Sequence, residues 1–148
     1  MVIKDFKYGW RFTEDKYAVF SDDELSEISV ISNDEAKREW LLICSEEIFQ
    51  KSVYIKDIIN RTAPVLIKNC FWGDNENYTK GKLLSFFNEL GANKVSIYYD
   101  DETALQVSSS VFCTRWSDFC YPSDLNLIIT PSVMIVYYED IIYGPYEI

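Results

Sequence analysis

Hydrophobic residues in the first part of the chain recur at helical spacing. Ser21 begins an acidic run ending at Glu24, which is the pattern of a capping box at the start of a short helix. Residues 32–35 repeat this signal before the next helix. In that second helix Ala36 and Trp40 are four residues apart, so Trp40 is expected to anchor the helix to the core.

The middle of the chain alternates between helical and loop-like segments. A short helix is expected over residues 53–60, and the apolar run at 65–67 predicts either a strand or a buried turn. Residues 69–78, which read NCFWGDNENY, have the composition of a loop. Thr79 is expected to cap another helix, which Gly91 ends in a left-handed conformation.

After Gly91 the pattern changes to the alternation that is typical of strands. A strand over residues 95–99 places Tyr98 on the face opposite its apolar neighbours. The acidic residues 100–102 then form a turn, and residues 105–107 form the return strand.

The last third of the chain predicts a short helix and further strands. Ser109 or Ser110 is expected to cap the helix, and Glu139 and Asp140 form a turn before the final strand. The remaining strands are expected at residues 125–130, 133–138 and 141–146.

These elements predict an α+β fold. A helical N-terminal half is expected to pack on a mostly antiparallel sheet formed largely by residues 95–146. The chain has 148 residues and neither repeats nor a Pro/Gly/Ser-rich linker, so it is expected to form one domain over residues 1–148.

The charge of the chain is strongly negative. It has 14 basic and 24 acidic residues, a net charge of −10. From Val95 onward, Arg115 is the sole basic residue. Such a chain is repelled by phosphate backbones and anionic lipids, so no direct binding to nucleic acid or a membrane is expected. The acidity favours a basic protein partner, and it also serves solubility.

The residue types limit the chemistry. The chain has no histidine, which excludes Ser-His-Asp and Cys-His catalysis and histidine-bound metals. The four cysteines form no CxxC pair, and buried free thiols are expected. If Cys113 and Cys120 share one helix, they lie about 10 Å apart, too far for a disulfide. Adjacent carboxylates suit turns and helix starts better than an active-site cleft. We therefore expect no metal, no cofactor and no enzymatic activity, with a carboxylate- or thiol-based enzyme as a less favoured alternative.

The N-terminal residues, MVIKDFKYGWRF, lack the continuous apolar run of a signal peptide. No stretch approaches the roughly 20 apolar residues that a transmembrane helix needs. A cytoplasmic location is therefore expected.

Tyrosines beside the acidic turns are the best candidates for contacts with a partner. Tyrosine rings can anchor an interface, and carboxylates can steer a basic partner toward it. If helices covered both faces of the sheet, the same tyrosines would instead be buried. The candidate partner-binding residues are Tyr98, Asp100, Asp101, Glu102, Tyr138, Glu139 and Asp140.

Two resemblances add to this picture. The two ends of the chain resemble an uncharacterised bacterial family defined as a domain of unknown function. The resemblance lies in the N-terminal segments GWRF, DDELSEI and EAKREWLLICSEEI, and in the C-terminal segment SSSVFCTRWSDFCYPSDLNLIITPSVMIVYYEDIIYG. The chain is also similar to the immunity proteins of bacterial toxin systems, including contact-dependent inhibition. These are small, acidic, cytosolic α+β proteins that cover a toxin's active site.

The leading hypothesis is therefore an immunity protein that binds and neutralises a basic toxin domain, such as a nuclease. A cytosolic adaptor or regulatory domain that binds another cellular protein is the alternative. The oligomeric state stays open.

Overall fold

The computed structural model describes residues 3–44 and 64–147, which contain six α-helices. Two further short 3-10 turns lie at Ile3–Asp5 and Trp72–Asp74. The expected helix over residues 53–60 lies outside the described residues. The helices are α1 (Trp10–Thr13), α2 (Asp22–Ser26), α3 (Asn33–Cys44), α4 (Glu76–Leu90), α5 (Ser109–Thr114) and α6 (Trp116–Phe119).

The described residues also form a seven-stranded sheet in the order β1-β4-β3-β5-β6-β7-β2, in which every neighbouring pair is antiparallel. The predicted α+β class is confirmed. The strands are β1 (Ile28–Ile31), β2 (Val65–Ile67), β3 (Lys94–Tyr98), β4 (Ala104–Ser108), β5 (Leu125–Ile129), β6 (Val133–Tyr138) and β7 (Ile141–Glu147).

Helices cover both faces of this sheet. One face carries Ile97 and Ile128, which belong to a core cluster shared with α1, α4, α5 and α6. The opposite face, called here the α3 face, carries Tyr98 and Leu127, which pack in a second cluster with Trp40 of α3. Helices from both halves of the chain therefore enclose the sheet, which is the arrangement that the sequence analysis gave as the alternative that buries the tyrosines.

The local signals at helix ends are largely confirmed. Ser21 Oγ accepts a hydrogen bond from the Glu24 amide at 3.1 Å, and the Glu24 carboxylate accepts one from the Ser21 amide at 2.9 Å. Ser32 Oγ likewise accepts from the Glu35 amide at the start of α3. Gly91 ends α4 with a φ of 70°, as expected.

Three helix boundaries differ from expectation. Helix α4 begins at Glu76, so Thr79 lies inside it, where the buried hydroxyl donates to the Cys70 carbonyl. Ser108, one residue earlier than expected, caps α5 through the Val111 amide. Because α5 ends at Thr114, Cys113 and Cys120 do not share one helix.

Candidate protein-binding surface

The two predicted acidic turns lie at the same end of the sheet. Strands β3 and β6 are both antiparallel to β5, which lies between them, so the two strands run in the same direction. The turns that follow them therefore extend from one end, on strands separated by two spacings of about 5 Å each. We call this region the acidic end: Asp100, Asp101, Glu102, Asp124, Glu139 and Asp140.

The turn after β3 combines a structural carboxylate with an exposed one. Asp100 Oδ1 accepts a hydrogen bond from the Glu102 amide at 3.0 Å, and Asp100 Oδ2 lies 3.5 Å from Lys7 Nζ. Burial opposes ionisation of Asp100, yet hydrogen bonds from Thr103 and Glu102, together with Lys7, lower its pKa. Asp101 is half-buried, whereas Glu102 is exposed. Glu102 is thus the carboxylate of this turn best placed to meet a partner.

The turn after β6 has the same division of roles. Glu139 and Asp140 have φ values of 48° and 65°, as in the two-residue turns that match the twist of a hairpin. The Asp140 carbonyl accepts from the Cys70 amide at 2.9 Å, and its Oδ1 accepts from the Phe71 amide at 2.6 Å. Asp140 therefore holds the segment after β2, while Glu139 is exposed.

The structure corrects the expectation that Tyr98 faces a partner. Its side chain lies opposite its apolar neighbours as predicted, but α3 covers that face and leaves Tyr98 only 1% exposed. Its hydroxyl lies 2.8 Å from a Glu39 carboxylate oxygen and 3.2 Å from the Ala36 carbonyl oxygen. Tyr138, at the end of β6, is half-buried at the edge of the same cluster.

A buried arginine that was not among the predicted site residues, Arg11, lies next to the acidic end. Arg11 is 4% exposed and donates to both carboxylate oxygens of Asp124. Burial opposes the guanidinium charge, but the hydrogen bonds and charge of Asp124 raise the pKa of Arg11. The ring of Tyr121 lies 3.9 Å from the guanidinium carbon and that of Tyr8 lies 4.8 Å from it. The signal in the sequence was an arginine between aromatic residues in GWRF.

Because of this ion pair, the Asp124 carboxylate is not available to contact a partner. Its side chain is only 13% exposed, and both of its oxygens face Arg11. The aromatic rings and the ion pair instead hold α1 against the turn that leads into β5. The ion pair therefore stabilises the turn before β5, which belongs to the acidic end.

The described cysteines do not have the environment of a reactive thiol. Cys70, Cys113 and Cys120 are buried. Burial raises the pKa of Cys70 and Cys113 to about 12, whereas an activated cysteine has a lowered pKa. Among residues 3–44 and 64–147, no group of three or more His, Cys, Asp or Glu side chains is placed to hold a metal ion.

The fold and this surface define an α+β protein with carboxylates concentrated on two hairpin turns at one end of its sheet. A family model described as "Protein of unknown function (DUF2947)" matches residues 1–140, and the chain belongs to this family. The predicted resemblance to an uncharacterised family is thereby confirmed. Comparison with curated proteins and with solved structures found no match. Within the described part of the chain, every helix is too short or too polar to cross a membrane.

Proposed function

We propose that this protein is a non-catalytic immunity protein that binds a basic toxin domain through its acidic end. The observation that carries the proposal is the convergence of the two acidic turns, which expose Glu102 and Glu139 at one end of the sheet. The chain as a whole has a net charge of −10.

The charge explains why a nuclease toxin suits this surface. A nuclease must present cationic side chains to its phosphate substrate, and a carboxylate-rich protein can occupy the same side chains. Long-range attraction also speeds association, which an inhibitor needs if it is to act before the toxin does.

The test compares two charge-reversal variants of equal net charge. Glu102→Lys/Glu139→Lys changes the acidic end, whereas Glu27→Lys/Glu147→Lys changes exposed residues beside β1 and at the end of β7, at the opposite end of the sheet. Tagged wild-type protein is used to capture partners from its native lysate, and the captured toxin domain is then produced alone for kinetic measurements.

The reversal at the acidic end should slow association with the toxin on the order of tenfold and reduce its dependence on salt. The opposite-end variant should associate like wild type. Co-expression with the wild-type protein should also restore growth of cells that produce the toxin. Capture of a non-toxic cellular protein in place of a toxin would favour the adaptor alternative, and equal association of both variants would contradict the proposed surface.

A further inference from the structure

Trp72 is the most exposed tryptophan of the protein. All four tryptophans lie in the described residues, and Trp72 is 74% exposed, whereas Trp40 and Trp116 are 4% and 2% exposed. Tyr78, on the first turns of α4, is also 56% exposed. Exposed tryptophan is uncommon on a surface that makes no contacts, and tryptophan and tyrosine are the residues that most often dominate binding energy.

Left-handed backbone and hydrogen bonds determine the shape of the loop that carries Trp72. Asn69, Gly73 and Asp74 all have left-handed φ values between 52° and 60°. The Asn75 side chain donates to the Asn69 carbonyl at 3.1 Å, and the Asn75 amide donates to the Trp72 carbonyl at 3.3 Å. A loop fixed in this way presents its side chain without a further loss of backbone entropy on binding.

The same loop is attached to the acidic end. The Phe71 amide donates to the Asp140 carboxylate, and the Phe71 ring packs against Trp116 with centroids 4.6 Å apart. Phe71 is thereby fixed toward the core, while the next residue, Trp72, extends into water. Since Asp140 follows Glu139 in the turn after β6, Trp72 adjoins one of the two exposed acidic turns.

The loop and its neighbours carry both signs of charge. Asp74, Glu76 and Glu139 are exposed carboxylates on or beside it. Burial raises the pKa of Asp118, and the negative charges of Glu76 and Glu24 raise it further against the effect of Arg115. The cations of this segment are Lys68, Lys80 and Lys82, and the Lys82 ammonium lies 5.6 Å from the Tyr78 ring.

We infer that Trp72 is the apolar anchor of the acidic end, and that it inserts between lysine or arginine side chains of a basic protein partner. The indole face attracts such cations, and the exposed carboxylates of Asp74, Glu76 and Glu139 neutralise them. Tyr78 extends the apolar contact along α4. This inference rests on the proposed function and identifies a residue beside the acidic end as the main source of the affinity.

A peptide selection tests the inference with a defined probe. Random peptides displayed on phage are selected on the whole wild-type protein and depleted on the selection matrix alone. One enriched peptide is then synthesised and titrated while tryptophan fluorescence is recorded. Leu42→Ala, at an apolar side chain of α3 that is 87% exposed, is the matched control.

The enriched peptides should carry Lys or Arg beside an apolar residue. Binding should shift the tryptophan emission to shorter wavelength in wild type, and Trp72→Ala should weaken affinity at least about tenfold. Leu42→Ala should bind like wild type. Both single variants should melt within about 2 °C of wild type, because neither residue is buried.

The outcomes separate this inference from the proposed function. If Trp72→Ala binds the peptide like wild type while Glu102→Lys/Glu139→Lys loses affinity, the acidic end is retained as a binding surface and the role of Trp72 as its anchor is wrong. If Trp72→Ala weakens binding but neither charge reversal nor salt does, Trp72 binds a ligand that is not recognised by basic charge, and the inferred basic occupant is wrong. Failure to enrich any peptide would also overturn the anchor.

Discussion

The Arg11 guanidinium donates to both carboxylate oxygens of Asp124, at 2.6 and 3.0 Å, across 113 positions of sequence. Both side chains are largely withdrawn from water, with 5% and 13% of their surfaces exposed. The pair ties α1 to the turn before β5 and so fixes the base of the acidic end.

Breaking this pair should destabilise the protein strongly. In Asp124→Ala the Arg11 charge stays buried among aromatic rings without its carboxylate, which costs about 3–5 kcal/mol of unfolding free energy. Urea unfolding, followed by circular dichroism, measures the loss.

A double-mutant cycle separates the ion pair from other effects of Asp124, whose carboxylate also accepts from the Tyr121 amide at 2.9 Å. Arg11→Met removes the charge and keeps an apolar side chain within the aromatic rings. Arg11→Met/Asp124→Ala should therefore lose less free energy than the two single changes together. Losses that add within about 0.5 kcal/mol would show that the two residues are not coupled.

A second ion pair predicts how stability depends on pH. Arg115 donates to both carboxylate oxygens of Glu24, at 2.8 and 2.9 Å. These hydrogen bonds, with those from Ser21 and the Arg115 charge, lower the pKa of Glu24 to about 2. Because the folded-state pKa lies below the unfolded value, the contribution is present above about pH 5 and is lost as pH falls toward 2.

The matched variant is Glu24→Gln, which retains an acceptor for the Ser21 amide in the capping box. It should cost on the order of 1 kcal/mol at pH 7, since the pair is partly exposed to water. Thermal unfolding between pH 2 and pH 7 should show a shallower loss of stability in acid for Glu24→Gln than for wild type. Parallel curves would contradict the assignment.

Short-range signals account for the parts of this fold that were predicted correctly. The Ser21–Glu24 capping box and the left-handed Gly91 depend on residues within one helical turn, so the sequence alone identifies them. The two acidic turns follow from the alternation around them. Their position at one end of the sheet depends on strand order, which that alternation does not specify.

Long-range packing explains what was missed. Strand β1 has only four residues between two helices, and its partner β4 lies more than 70 positions away. Tyr98 has the alternation of an outward-facing residue, and only the placement of α3 on that face buries it. The approach of Arg11 to Asp124 likewise depends on tertiary structure.

The burial of Tyr98 leads to a prediction about stability. Tyr98→Phe removes a hydroxyl that lies within hydrogen-bonding distance of Glu39 and of the Ala36 carbonyl, so it should cost about 1–2 kcal/mol of unfolding free energy. Chemical denaturation measures this cost. Partner affinity should be unchanged, and a variant that is as stable as wild type but binds more weakly would restore Tyr98 as a contact residue.

The Asp140 carboxylate should determine whether the loop carrying Trp72 keeps its conformation. Asp140→Ala removes the acceptor of the Phe71 amide and places a residue that disfavours left-handed φ at 65°, so the free energy of unfolding should fall by about 1–3 kcal/mol. Hydrogen exchange, read at the Phe71 amide, should become faster.

Asp140→Asn and Asp140→Gly separate the two causes. Asparagine tolerates the left-handed conformation and retains a side-chain acceptor, so it should keep Phe71 protected. Glycine accepts the backbone conformation but lacks the acceptor, so protection of Phe71 should be lost with less strain than in the alanine variant. Equal protection of Phe71 in the glycine and asparagine variants would show that backbone conformation, and not the carboxylate, holds this loop.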